Sequence, residues 1–203
     1  MKTSRLKPVL FLSLIFANAL FFFACNNDDD DNSPPEGSAF PVVMSYHSIT
    51  DTELLLWVGG EPASTDGLNP EDLFSDEDLL LVSESYYENQ ALIFTEDSVA
   101  APGFEGLLSY NFENDSLFGT IDFAGAPLDV FIGTGDFTEL VIPQGIYNYC
   151  AGSGSGSVVC GSGGGNDRFT PESIISDETD LSADDFGPND SLAVYNINVI
   201  FRP

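Results

Sequence analysis

The chain has 203 residues, 43% hydrophobic and 12% aromatic, enough for one domain with a packed core and too much for wholesale disorder. It carries 33 acidic residues against five basic ones, and three of those five, Lys2, Arg5 and Lys7, precede residue 10. Beyond Cys25 the only cations are Arg168 and Arg202, which leaves nucleic-acid binding close to excluded, because that affinity comes from Lys and Arg displacing phosphate counterions.

Lys2, Arg5 and Lys7 form a positive start to an apolar run, Val9 to Ala24, broken only by Ser13 and Asn18. The run is short for a membrane span of about 20 residues and reads as a secretory signal. It ends in Phe22-Phe23-Ala24-Cys25, which resembles the lipobox of bacterial lipoproteins, with Phe22 where leucine is usual. The resemblance implies a signal peptide over residues 1–24 and acyl chains on Cys25, each buried methylene adding about 0.8 kcal/mol of membrane affinity. Residues 25–39, with Asp28 to Asp31, Pro34 and Pro35, have nothing to bury and read as a disordered acidic tether. The aspartate run after the cysteine is similar to the surface-export signal of Bacteroidota lipoproteins. It implies an outer-membrane protein, lipid-anchored and displayed at the cell surface, with the membrane as its first partner.

Residues 40–203 read as one all-β domain, an antiparallel β-sandwich or β-barrel of roughly 8–10 strands with a long acidic loop. Strands are expected at residues 39–49 and, after a turn at Thr50-Asp51-Thr52, at residues 53–58. Asn69-Pro70-Glu71-Asp72 carries the signals of a short helix start: Asn as cap, Pro in first position, acids in the first turn. Residues 79–87 and 91–94 follow as strands. The clearest hairpin is Leu108–Phe112 and Leu117–Phe123 around Glu113-Asn114-Asp115-Ser116. Further strands are expected at 128–132, 137–142 and 145–149, and the longest alternating run is Leu192 to Phe201. Ile93-Phe94-Thr95-Glu96-Asp97 and the hairpin at Tyr110 to Leu117 loosely resemble lipocalin-like small lipoproteins, which implies an alternative role as carrier of a small apolar ligand. The Gly-x-Trp start of lipocalins is missing, since Trp57 precedes Gly59.

With Cys25 lipidated, Cys150 and Cys160 remain in an oxidising compartment, where pairing is the default; closing the glycine-serine loop between them restrains the unfolded chain by about 3 kcal/mol. Gly161 to Asp167 reads as flexible, and Pro171 to Ile175 as one helical turn. In the acidic loop, Asp177, Glu178, Asp180, Asp184, Asp185 and Asp190 are candidate calcium ligands, calcium being the one cofactor considered. Their spacing is not that of an EF-hand, and a solvated acidic loop is the alternative reading.

Asp97-Ser98-Val99, Asp115-Ser116-Leu117 and Asp190-Ser191-Leu192 resemble the Asp-Ser-apolar acceptor of Bacteroidota O-glycosylation, placing the sugar on Ser98, Ser116 and Ser191. Asp and Ser are equally suited to turns that precede strands. His47 is the single imidazole, and no serine stands in Gly-x-Ser-x-Gly, so no catalytic residue is assigned. A small carboxylate-dependent hydrolase, with two acids across a cleft, is the weakest alternative. Tyr86-Tyr87 and Tyr147–Tyr149 offer a stacking face for a glycan or other ligand. The function expected is a non-enzymatic binding or structural module of the cell envelope.

Overall fold

The computed structural model describes residues 40–102, 104, 106–152, 158–175 and 187–203. They form ten strands: β1 (Val42–Val58), β2 (Glu61–Ala63), β3 (Ala91–Phe94), β4 (Ser98–Ala100), β5 (Leu108–Glu113), β6 (Ser116–Phe123), β7 (Ala126–Gly135), β8 (Leu140–Gly152), β9 (Val158–Gly165) and β10 (Ser191–Arg202). Every pairing is antiparallel, and the neighbours run β10-β1-β3-β4-β5-β6-β7-β8. β8 then pairs back onto β10 from Ser191↔Cys150 to Phe201↔Leu140, which closes eight strands into a barrel. The all-β expectation holds, and the closed ring decides for a barrel over a sandwich. β2 beside β1 and β9 beside β8 stand outside the ring.

Three strands are much longer than the rest, and they give the fold its second part. The Val42 end of β1, the Leu140 end of β8 and the Arg202 end of β10 belong to the barrel wall. Their far halves leave it as a five-stranded sheet, β2-β1-β10-β8-β9. Pro143 sits where β8 changes company. β7 pairs only with Leu140 and Val141, and β9 begins only at Gly145, so Pro143 sits where neither strand pairs with that edge.

Several expected boundaries move. Thr50-Asp51-Thr52 is not a turn but a bulge inside β1, with the register to β10 slipping between Thr50 and Glu53 and Asp51 at φ 49°. Residues 140–142 and 145–149 merge into one strand, while 137–139 lie in the turn before it. Residues 79–87 are not a strand: they belong to two helical turns, α1 (Asp76–Leu80) and α2 (Glu84–Tyr87). Ser75 caps α1, its Oγ accepting from the Asp78 amide at 3.2 Å, and three acids follow in the first turn. Pro70–Asp72 is a 3₁₀ turn with the expected Asn69 and Pro70 start, and Pro171–Ser173 is the single helical turn α3. The hairpin at Asn114-Asp115 forms as expected, both residues left-handed at φ 51° and 58°, the geometry that matches strand twist.

The barrel interior is filled with side chains. Met44, Leu92, Phe94, Leu117, Ile132, Leu140 and Phe201 are fully buried there, and Phe94 lies edge-on to Phe137 and Tyr110 at 5.0 and 5.3 Å. A second cluster covers the opposite face of the five-stranded sheet, where Phe169, Ile174 and Ile175 lie on Tyr147, Leu192 and Val194, with Trp57 at the edge. β10 is therefore buried on both faces in its first half rather than alternating between core and water.

The β7–β8 turn is closed by Asp136, whose carboxylate accepts from the Thr138 amide and hydroxyl and from the Glu139 amide. Those bonds, the Thr138 hydroxyl first, hold its pKa below the ordinary carboxylate value against a small opposing push from burial. A carboxyl lowered in the folded state adds stability above its unfolded pKa of about 4 and loses it as pH falls through the folded value. Denaturant midpoints taken from pH 5 down to about pH 2 should therefore fall less steeply for Asp136→Asn than for the parent. Parallel curves would show that this turn is not a pH-sensitive contact.

Candidate functional site

Residues 69–90 fold across the inner face of the five-stranded sheet as a cover. Asn148 on β8 pins it, donating from Nδ2 to the Leu73 carbonyl at 3.0 Å. Tyr87 anchors the far end. It is 3% exposed, its hydroxyl donates to the Leu81 carbonyl at 3.0 Å, and its ring meets Tyr86 edge-on at 4.9 Å and Tyr46 in a stack at 6.3 Å. Burial pushes the Tyr87 phenol far above its ordinary pKa, with Tyr86 adding to the shift. Burial also raises Tyr46, followed by the carboxylates of Glu84 and Glu88. Tyr87 thus serves as a protonated donor to Leu81 and as a wall of the hollows beside it.

Between this cover and β8–β9 lie two adjoining hollows, of about 110 and 30 Å³, both bounded by Tyr86, Tyr87 and Gln144. The larger is walled by Leu81, Val82 and Ile146, and bordered by Gly164 and Gly165. The smaller reaches Asn166 and Phe201. Gln144 Nε2 donates to Asn166 Oδ1 at 2.7 Å, which fixes both amides at the mouth. The arrangement combines apolar walls, one half-buried tyrosine and two amides. It suits binding by contact and hydrogen bonding.

β9 borders the hollow, and its sequence is poor for a strand because four of its eight residues are glycine. Two tyrosines compensate from β8. Tyr147 faces Gly163 and Tyr149 faces Gly161 in register, and a Cβ on either glycine would meet the opposing ring at 2.9 Å or closer. The rings occupy the space the missing side chains leave open. Cys150 and Cys160 form a disulfide across the same two strands, Cα–Cα 4.1 Å, directly opposite in register. Of the stretch expected to be flexible, Gly161 to Asp167, residues 161–165 are thus an ordered strand.

Both arginines beyond Cys25 are engaged. Arg168 bonds Glu53 at 2.8 Å, and it also reaches the Asp51 carbonyl and Asn198. Arg202 bonds Glu139 and donates to His47 Nε2 at 2.7 Å. His47 is an exposed partner of Arg202.

The other expected sites fall apart or outside. Cys25 and residues 177, 178, 180, 184 and 185 lie outside the described residues. Asp190 is buried in a turn, its carboxylate accepting from the Gly187 amide at 2.6 Å and its carbonyl from Gly59. Among the described residues no three acids, histidines or cysteines converge on a metal position. Ser98, Ser116 and Ser191 each open a strand, and the residue after each, Val99, Leu117 and Leu192, is fully buried. The Asp-Ser-apolar triplet is thus also a strand entry, with the serine half-buried at the rim. Tyr86-Tyr87 and Tyr147–Tyr149 do not share a face: the first pair walls the hollow, and the second belongs to the opposite side of β8. Gln144, Asn166, Gly164 and Gly165 were missed as site residues. A polar amide beside a glycine run gives no periodic signal that separates a site from a loop. No family model, no curated protein and no solved structure matches this chain.

Proposed function

We propose that this chain is a lipid-anchored envelope protein, held through Cys25 and its acidic tether, that presents the barrel at the cell surface as a non-enzymatic binding module. The observation that carries the binding role is the hollow walled by Tyr86 and Ile146 and closed at its mouth by Gln144 and Asn166. Apolar walls with a few fixed polar groups are the usual make-up of a ligand site. The acidity after Cys25 supports extracellular solubility and disfavours anionic ligands. Metabolic labelling with palmitate tests the anchor: the parent should take label in the membrane fraction, and Cys25→Ala should take none. Equal labelling would remove the lipoprotein reading. Melting temperatures with calcium, a panel of neutral glycans and a fatty acid test the ligand classes, because a ligand of the folded state raises the transition by mass action.

The closed barrel is compatible with a lipocalin-like carrier, but its filled interior counts against that role. In that role a small apolar ligand has to displace side chains such as Phe94 and Leu92, which are fully buried. Fatty-acid binding that is lost in barrel-interior variants that still fold, and kept in variants of the outer hollow, would favour the carrier.

A further inference from the structure

We infer that β9 is an open docking edge, and that its occupant is an extended segment of another protein with basic ends, which adds a strand to β9 and places one apolar side chain in the hollow beside Gly164 and Gly165. The inference rests on the binding-module reading and names its partner.

β9 ends the row of strands, and no described residue pairs with its outer side. Open edges are normally blunted by lysine, proline, a bulge or a covering element. Among the described residues β9 has none of these. Residues 158–165 contain no charge and no proline, and the pairing with β8 runs from Gly145↔Gly165 to Gly152↔Val158 without a slip. Gly164 and Gly165 are exposed, so no side chain there stands between the backbone and an incoming strand. The edge is nonetheless held firm, by the Cys150–Cys160 disulfide and by Tyr147 and Tyr149 over the glycines. A strand this weak in propensity, braced from one side and unpaired by any described residue on the other, fits main-chain recognition. Added strands gain affinity from backbone hydrogen bonds and specificity from pockets for alternate side chains.

Size and charge choose the occupant. At about 110 Å³ the larger hollow is well below the 300 Å³ or more of a typical small-molecule site, and it suits one amino-acid side chain. Its walls, Leu81, Val82 and Ile146, ask for an apolar one. Exposed Asp167 follows the strand, and exposed Glu84 and Glu88 flank Tyr86. With 33 acids on the chain and both arginines beyond Cys25 already paired, lysine or arginine at the ends of the incoming segment is attracted rather than repelled.

The test uses the full chain and a fluorescein-labelled peptide that alternates threonine with valine and leucine, with lysine at both ends. The lysine-ended peptide should bind and should protect amides among Gly161–Gly165 from hydrogen exchange. The same peptide N-methylated on alternate amides should not bind. The glutamate-ended version should bind about tenfold more weakly at low salt. Gly165→Lys is sterically permitted, since a Cβ there meets only Phe169, at 3.8 Å. It should weaken binding by about tenfold, and Thr52→Lys, the same charge at an exposed position of β1, by less than about twofold. Binding that ignores N-methylation or Gly165→Lys, with the fold intact by circular dichroism, overturns the docking edge. A glycan or fatty acid that binds where the peptide does not overturns it too, yet leaves the binding module standing. If no probe binds, both readings fall.

Discussion

Phe94→Ala is expected to cost about 3–5 kcal/mol of folding stability, the range for deleting a fully buried aromatic ring. Phe94 is 0% exposed on β3, and its ring lies 5.0 Å from Phe137, 5.3 Å from Tyr110 and 6.4 Å from Phe112. Those four rings come from β3, β5 and the β7–β8 turn, so removing the central one opens a void that no single strand can close by shifting. Edge-to-face pairs add about 0.5–1.5 kcal/mol beyond burial, and two are lost together. Phe94→Leu should cost less than half as much, because most of the volume is kept. Phe123→Ala, at a ring 65% exposed on the β6–β7 hairpin, should stay within about 0.5 kcal/mol. Urea unfolding followed by circular dichroism measures all three. A loss below about 1 kcal/mol at Phe94 would mean that the barrel interior is not the packed cluster described here.

Asn196→Ala is expected to release the segment that covers the outer face of the five-stranded sheet. Asn196 is 1% exposed, and its side-chain amide accepts from the Phe169 N–H and donates to the Phe169 carbonyl, both at 2.9 Å. One side chain thus imitates the backbone of a neighbouring strand. The approach is close enough that only glycine fits at position 145, where a Cβ would lie 2.6 Å from the Phe169 ring and 2.7 Å from Asn196 Oδ1. Truncation strands two backbone groups, each costing about 1–3 kcal/mol if it stays buried. The cheaper response is for residues 168–175 to lift and hydrate them. Trp57, the single tryptophan, packs on this cluster, so its emission should shift to the red in Asn196→Ala. The Phe169 amide should also lose exchange protection while the barrel amides keep theirs. Unchanged emission and protection would show that hydrophobic packing of Ile174 and Ile175 suffices to hold the segment.

Much of this molecule is legible in its residues taken in order. Alternation at Leu108–Phe112 and Leu117–Phe123 sets a core face, and Asn114-Asp115 tolerates the left-handed backbone the tight turn needs, so that hairpin is fixed locally. Asn69-Pro70 likewise starts the helical turn it signals, and the turn expected from Pro171 forms there. The apolar run at 79–82 misleads because a short apolar helical turn and a short strand look alike by composition. The better signal was Ser75 with Asp78 three residues on, which caps α1.

The site was less legible than the fold. Tyr86-Tyr87 stood out as aromatics, but the residues opposite them are Gln144 and Asn166, distant in sequence and ordinary in type. The sequence by itself determined the strand-rich class, the turns and the excess of negative charge, because these follow from periodicity, local backbone preference and counting. Only the tertiary structure decided that β8 meets β10 to close a barrel, that a run of glycines is a strand, and that β10 is buried on both faces. Alternation tells which way a side chain points but not which strand lies beside it. A glycine strand has no preference of its own and takes its order from Tyr147, Tyr149 and a disulfide on its neighbour.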